Sequence, residues 1–398
     1  MTIVVGSLPS RITTMGQPNY AWSLLATHAV VWLFFADTGA LRSITAAVEP
    51  YCWPYFENCW SWRLPSETAA QAVLFGYLAI GLLAGVALGH DRHRLAWLFL
   101  VALNVYLFGV VSLDYRLRGN EFYMLFWVNA AFLVSPRSKW MVPLTIVCCY
   151  FWAGVLKINT EWLSGSGLYY DLWMVPEWLT PWACAYVIAL EMVMIWGLMA
   201  SRTSVAVLVL FQLVLFHLQS LSQIHWFYPL LMAAILSWFV LDRASPPASG
   251  AARLSTLLNG RAPRSAYSLL ALFAAMQLAR YTFPGDPALT GQGRVFALHM
   301  FEARQECQIT AFLPPTGERL NLKVETLSPR MICDPVVYFN RAQNLCRSRR
   351  SVDAAFDFRL LMQSKRTTDA QFVNIIDEPK FCSSNYSYRL LRDNDWLR

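Results

Sequence analysis

Four titratable side chains stand inside or at the edge of long apolar runs, where a polar group needs a reason to be. Lys157 closes the run in YFWAGVLKINTEW (Tyr150–Trp162), Glu191 lies in VIALEMVMIWG, His217 in LVLFQLVLFHLQSL, and Glu121 in GNEFY at the start of another run. An amine in apolar surroundings can lose its proton and act as a base, which a guanidinium cannot do. Lysine is scarce here: Lys139, Lys157, Lys323, Lys365 and Lys380 are the whole set, and arginine is used almost everywhere else. A glutamate and a histidine on the following apolar runs would be paired inside a bundle, where they can support a lysine base. His217 and Ser220, three apart, share a helix face, whereas Gln212 and His217, five apart, do not. Asn159, Trp162 and His225 flank the same segments and are the candidates for contacting a bound cofactor. Plainer readings stand beside these. Lys157 also suits a snorkelling anchor at a helix end, the histidines suit packing roles, and Glu121 suits a helix N-terminus, where the dipole favours a carboxylate.

The elements that would position these groups follow from composition. The chain of 398 residues is 56% hydrophobic and only 14% charged, with mean hydropathy +0.38; soluble domains run near about 25% charged, so an ordinary water-soluble enzyme is excluded. Apolar windows at about 20–41, 67–89, 95–113, 121–135, 140–156, 181–200, 203–221, 224–241 and 266–282 predict roughly nine transmembrane helices. The fourth is short and bounded by Pro136. Met1–Tyr20 lacks the apolar core and cleavage site of a signal peptide, so the first span is expected to be retained. With the N-terminus in the cytoplasm, the inner segments hold Arg11, Arg92, Arg94, Arg137, Lys139, Arg202, Arg243, Arg253, Arg261 and Arg264. The outer ones then hold only Arg42, Arg63, Arg116, Arg118, Lys157 and Arg280, the asymmetry of a protein of the inner (cell) membrane.

Cysteine usage gives an independent signal. Cys148, Cys149 and Cys184 fall inside spans, while Cys52, Cys59, Cys307, Cys333, Cys346 and Cys382 all fall in segments placed outside, where disulfides form. Cys52 and Cys59 share one short aromatic loop and are expected to pair; the four in the tail allow three connectivities. With no CxxC and only His299 nearby, no metal is expected.

The expected fold is therefore an all-α polytopic membrane bundle with a small extracytoplasmic α+β C-terminal domain. Its parts are a bundle over 1–241, a cytoplasmic linker over 242–265, a last transmembrane helix over 266–282 and a disulfide-containing domain over 283–398. Within that domain QITAFLPP, LNLKVETL and DPVVYF have strand character and Ser351–Ser364 reads as a helix. The aromatic stretch LSGSGLYYDLWMVPEWLTPW after Lys157 reads as a re-entrant or interfacial helix. No repeat, glycine-rich phosphate loop, G-x-S-x-G or H-E-x-x-H is present. No lysine-rich tail or basic tract suggests nucleic acid as a partner; the lipid bilayer is the expected one.

The stretches YFWAGVLKINTEWLSG and LFHLQSLSQIHWFYP resemble the vitamin K-dependent gamma-carboxylase superfamily, whose bacterial members are the HTTM-domain proteins. The first matches A-G-x-x-K-[LI]-x-x-[DE]-W, and the likeness covers about residues 20–241. The resemblance implies a membrane site on the lumenal or periplasmic side, with Lys157 as catalytic base and a reduced quinone (a vitamin K-type hydroquinone) as cofactor. In that chemistry the lysine deprotonates the quinol, which reacts with oxygen to give a stronger base. That base removes a γ-proton from a substrate glutamate, and the carbanion captures carbon dioxide. The chain departs from the animal carboxylases in carrying Asn120–Glu121 where they have asparagine–histidine, so that Glu121 stands in for the histidine. It also lacks their large lumenal domain, which excludes a blood-clotting-type substrate. Two functions compete: a quinol-linked enzyme modifying a peptide, protein or small molecule, and a non-enzymatic accessory, maturation or immunity partner of another membrane protein. A channel or transporter is a weaker third, since the charged residues cluster at one face.

Overall fold

The computed structural model describes residues 18–46, 49–56, 58–135, 138–223, 225–244, 254–299, 303–314, 316–322, 331–384 and 386–398. Arg11, Pro136, Arg137, Arg253, Lys323, part of LNLKVETL and the centre of the expected linker lie outside the described residues.

Helices occupy all nine apolar windows: α1 (Pro18–Thr38), α2 (Glu67–Gly89), α3 (His93–Ser112), α4 (Asn120–Val134), α5 (Met141–Leu156), then after a short α6 (Thr160–Ser164), α7 (Thr180–Met192), α8 (Thr203–Gln219), α9 (Phe227–Ala244) and α10 (Arg264–Ala279). Five stretches are long and apolar enough to cross a membrane: Tyr20–Thr38, Glu67–Gly89, His93–Ser112, Glu177–Met199 and Thr203–Ser222. The helix over Asn120–Val134 has only 15 residues, about 22 Å at 1.5 Å per residue, short of a hydrocarbon core of about 30 Å. By length and composition, five stretches among the described residues could cross a membrane, and nine spans are not established.

Position in the bundle follows from which faces are apolar. On α5 every residue from Val142 to Tyr150 is buried, the pattern of a helix surrounded by protein on all sides; α4, α7, α9 and α10 pack around it. The peripheral α2, by contrast, has only 22% of its apolar window covered by the rest of the protein. Phe75, Leu82, Val105 and Phe108 point outward from α2 and α3, an exterior suited to lipid rather than water.

The C-terminal domain is a four-stranded antiparallel sheet in the order β2 (Arg319–Leu320), β1 (Gln305–Phe312), β3 (Arg359–Arg366), β4 (Val373–Glu378), with helix α11 (Pro335–Arg350). Three sequence expectations change here. DPVVYF is not a strand but the start of α11, because Asp334 caps it by accepting the Val336 N–H at 3.0 Å and Pro335 fits the first turn. Ser351–Ser364 is not a helix: a loop leads into β3, whose residues alternate between partly and fully buried. The aromatic stretch after Lys157 is mostly irregular chain, with a single 3-10 turn at Glu177–Leu179 before α7.

Three disulfides form, Cys52–Cys59 as expected, and Cys307–Cys333 with Cys346–Cys382 among the three tail connectivities. All lie at one end of the bundle, where its loops merge with the C-terminal domain. Tyr51 and Tyr115 from those loops enter the domain's own core. The Asn340 side chain accepts the Cys52 N–H at 2.8 Å and donates to the Cys52 carbonyl at 3.1 Å. Asp334, fully buried, takes Arg118 at 2.5 Å, the Tyr115 hydroxyl at 3.0 Å and Arg294 at 3.4 Å.

Burial by itself would raise the Asp334 pKa, but Arg118, Arg294, the Tyr115 hydroxyl and the Val336 N–H together hold it below the usual carboxylate value. A depressed folded pKa contributes stability above the unfolded value of about 3.9. That stability is lost as pH falls through the folded pKa. Asp334→Asn is expected to cost about 3 kcal/mol at neutral pH, because it takes the negative charge away from Arg118 and Arg294. It should also remove part of the acid destabilisation that the parent shows below pH about 4. Thermal melting in detergent between neutral and acid pH reads both; superimposable curves for parent and variant would disprove the assignment.

Candidate functional site

Lys157 caps α5, and because α5 is central its side chain stays inside the protein instead of reaching for a surface. Its Nζ donates to Glu191 Oε2 at 2.6 Å and to the Ala153 carbonyl at 3.3 Å. The two side chains are 0% and 1% exposed. This is a buried ion pair, not a snorkelling anchor. Gly154 makes it possible: a Cβ there would fall 2.6 Å from Met192 Cγ and 3.0 Å from Glu191 Cβ. Only glycine lets α7 approach α5 closely enough for the carboxylate to meet the amine.

The chain then reverses at once. The Asn159 side chain accepts the Trp162 N–H at 2.8 Å and donates to the Leu156 carbonyl at 2.9 Å, an N-cap that starts α6 one residue after the end of α5's turn. Gly165 ends α6 in the left-handed region at φ 81°. This tight turn returns the Trp162 ring to 5.3 Å from Lys157 Nζ, and the indole N–H is fixed on the Cys184 carbonyl at 2.9 Å.

Beside the pair lies a cavity of about 230 Å³, walled mainly by apolar side chains, among them Trp162, Leu190, Phe216 and Tyr228, with Lys157 at its wall. Next to it a second buried polar pair forms: the Tyr150 hydroxyl lies 2.5 Å from His217 Nε2. The His217 ring packs edge-on against Tyr228 at 5.5 Å, and its Nδ1 has no hydrogen-bond partner among the described residues. Tyr150 is seven residues before Lys157, two turns along the same face of α5. The four side chains thus come from α5, α7 and α8.

The other candidates are placed elsewhere. Glu121 sits in the first turn of α4, its side chain folded back over Gly119, and it is not among the described residues lining the cavity. His225 is largely exposed, 3.8 Å from Asp37 and edge-on to Phe34. Of the three candidate cofactor contacts, Trp162 lines the cavity, Asn159 positions Trp162, and His225 reaches neither. No group of three or more metal-ligating side chains occurs among the described residues. Tyr150 and Gly154 are the residues that sequence reasoning passed over; the seven-residue spacing to Lys157 and the small residue in a packed helix were their signals.

Chemically, the arrangement can move one proton across 2.6 Å. An ion pair and its neutral counterpart carry the same net charge. Transfer from Lys157 to Glu191 therefore exposes a neutral amine without leaving an unbalanced charge in apolar surroundings.

No family model, curated protein or solved structure matches this chain. The site is therefore read from its own geometry.

Two stability measurements follow. Glu191→Ala leaves the Lys157 ammonium unpaired and should cost about 3–5 kcal/mol, while Lys157→Met with Glu191→Leu should recover most of it. Gly154→Ala overpacks the α5–α7 contact and should cost about 1–3 kcal/mol. Thermal unfolding in detergent measures each, and a Glu191→Ala melting point equal to the parent's would contradict the pairing.

Proposed function

We propose that this chain is a membrane-embedded enzyme of the gamma-carboxylase-like superfamily, in which Lys157 is the base and Glu191 its proton partner. The observation that carries this reading is the wholly buried Lys157–Glu191 pair at 2.6 Å on the wall of an apolar cavity. A lysine with a purely anchoring role would be expected to point toward water. All nine apolar helices are read as crossing or entering an inner membrane, with the N-terminus cytoplasmic and the disulfide-bonded domain extracytoplasmic. Three disulfides at the end that carries Lys157 support that orientation.

A reduced quinone fits the chemistry of this wall: a ring-sized apolar space bordered by an amine, with the Ser220 and Gln219 side chains at its edge. Lys157 and Trp162 would hold its head group. When bound, the quinol supplies the reducing power and the reactive oxygen chemistry that no side chain here provides. The chain's own residues take up a proton at Lys157 Nζ and hold it against Glu191. They fix the amine with Trp162 and exclude water with Leu190, Phe216 and Tyr228. Tyr150 and His217 stand next to this route as a second buried hydrogen-bonded pair. The substrate acted on is a peptide, protein or small molecule.

A second reading, a non-enzymatic accessory, maturation or immunity partner, is favoured by one surface. The Cys52–Cys59 loop is clamped onto α11, yet leaves Trp60 and Trp62 exposed, a rigid aromatic face of the kind that binds proteins.

The deciding measurement is oxygen consumption by the purified protein in lipid discs supplied with a reduced naphthoquinone. The parent should turn over, and Lys157→Arg, which keeps the charge but cannot serve as base, should fall by about 10²–10⁴-fold while its circular dichroism stays that of the parent. Undiminished turnover in Lys157→Arg sinks the base assignment. A parent that consumes no oxygen and binds no quinone, but purifies in a stable stoichiometric complex, moves the protein to the second reading.

A further inference from the structure

We propose that the cavity beside Lys157 is filled sideways, from the bilayer, through a mouth between α7 and α8, by an amphiphile that places a compact polar head inside and leaves an apolar chain in lipid. The inference deepens the proposed function and rests on its membrane embedding.

The end of the cavity facing the C-terminal domain is closed by the irregular segment 165–176. Its backbone is fixed by side chains that belong to other elements. The N–H groups of Tyr169 and Tyr170 donate to Gln223 Oε1 at 3.2 and 3.3 Å, and that of Met174 donates to Gln219 Oε1 at 2.9 Å. From the C-terminal domain, Arg304 donates to the carbonyls of Leu168 at 2.7 Å and Ser166 at 3.2 Å and stacks 5.4 Å from the Tyr169 ring. Leu168 and Met174 of this strap are cavity wall. Opening it means breaking several hydrogen bonds at once.

The flank is different. Tyr186 and Gln212, each near the middle of its apolar helix, line the cavity and also reach the outside of the bundle; Tyr186 is 45% exposed. Leu215, one turn from Gln212, does the same at 42%. Met174 of the strap is wall and exterior to the same degree, at 44%, so what sets the flank apart is the bonding across it. Among the described residues one side-chain bridge runs across it, the Tyr186 hydroxyl donating to Gln212. A single bond between two flexible side chains is a far weaker barrier than the strap. Because both residues lie at mid-helix, the mouth opens where the apolar exterior meets lipid, so what enters must be soluble there. Size limits the occupant further. A cavity of about 150 Å³ takes benzene; this one, at about 230 Å³, admits a ring-sized head but not a two-chain lipid.

Cys184, buried on the cavity wall, is a natural reporter. Cys148 and Cys149, buried on α5 and absent from the described lining, report general unfolding. The full chain in proteoliposomes is treated with an apolar, membrane-soluble maleimide or a charged, impermeant one, and labelling is mapped by mass spectrometry. The apolar reagent should label Cys184 at least about tenfold faster than the charged one. Leu215→Trp, which narrows the mouth, should slow apolar labelling by about tenfold. Gln219→Ala with Gln223→Ala should instead speed the charged reagent. Labelling of Cys184 by the charged reagent as fast as by the apolar one, or no labelling of Cys184 by either, overturns the lateral route. Labelling needs no turnover, so loss of the catalytic reading leaves this result intact.

Discussion

The buried salt bridge between Lys157 and Glu191 is the constraint on which the rest of the bundle depends. Two charges withdrawn from water are tolerated only when geometry is close and each is matched. A lone ammonium there would cost several kcal/mol. The bundle meets that condition by building two helices to one tolerance. On α5, Gly154 removes the side chain that would hold α7 away. On α7, Glu191 sits where that close approach delivers its carboxylate to the amine. Removing either group therefore affects helix packing as well as charge.

The location of the pair follows from the C-terminal end of α5. The helix is buried on every side over Val142–Tyr150, so a lysine at its last turn has no lipid interface to snorkel toward. The Asn159 cap and the Gly165 turn then fold the chain back instead of releasing it to solvent. The C-terminal domain completes the enclosure: Arg366 reaches buried Glu161 at 3.2 Å, and Arg304 holds the strap beyond it. A domain whose sheet and disulfides lie far along the sequence thus seals a cavity formed by the bundle. That is a physical reason for the domain to be docked through buried charges such as Asp334 rather than tethered loosely.

Much of this was legible in the sequence, for identifiable reasons. Apolar length located all nine helices, because a run without charges has few alternatives to a buried or lipid-facing helix. It did not show which of them are full spans, since α4 and α5 are short and their burial comes from neighbours. The cysteine pattern gave the Cys52–Cys59 pair, because seven residues in one loop leave no other partner near; the tail pairs needed the sheet register. The helix at Pro335 was misread because VVYF has strand propensity, and the Asp334 cap with Pro335 overrides it locally. At the site, the scarcity of lysine and the carboxylate in an apolar run identified Lys157 and Glu191. Glu121 and His225 shared that surprising polarity but not the position, since polarity in a run says nothing about which face of a helix looks inward.

The same reasoning explains why the two polar pairs differ in kind. Lys157 and Glu191 carry opposite charges, so a proton crossing between them changes no net charge and needs no solvent to accommodate it. Tyr150 and His217 are neutral partners 2.5 Å apart, and a proton crossing between them would create charge where none stood, in surroundings that resist it. Proton movement is therefore easiest within the first pair. The second pair joins α5 to α8 directly, through the Tyr150 hydroxyl and His217 Nε2. The shared face of α5 is what places the two pairs side by side.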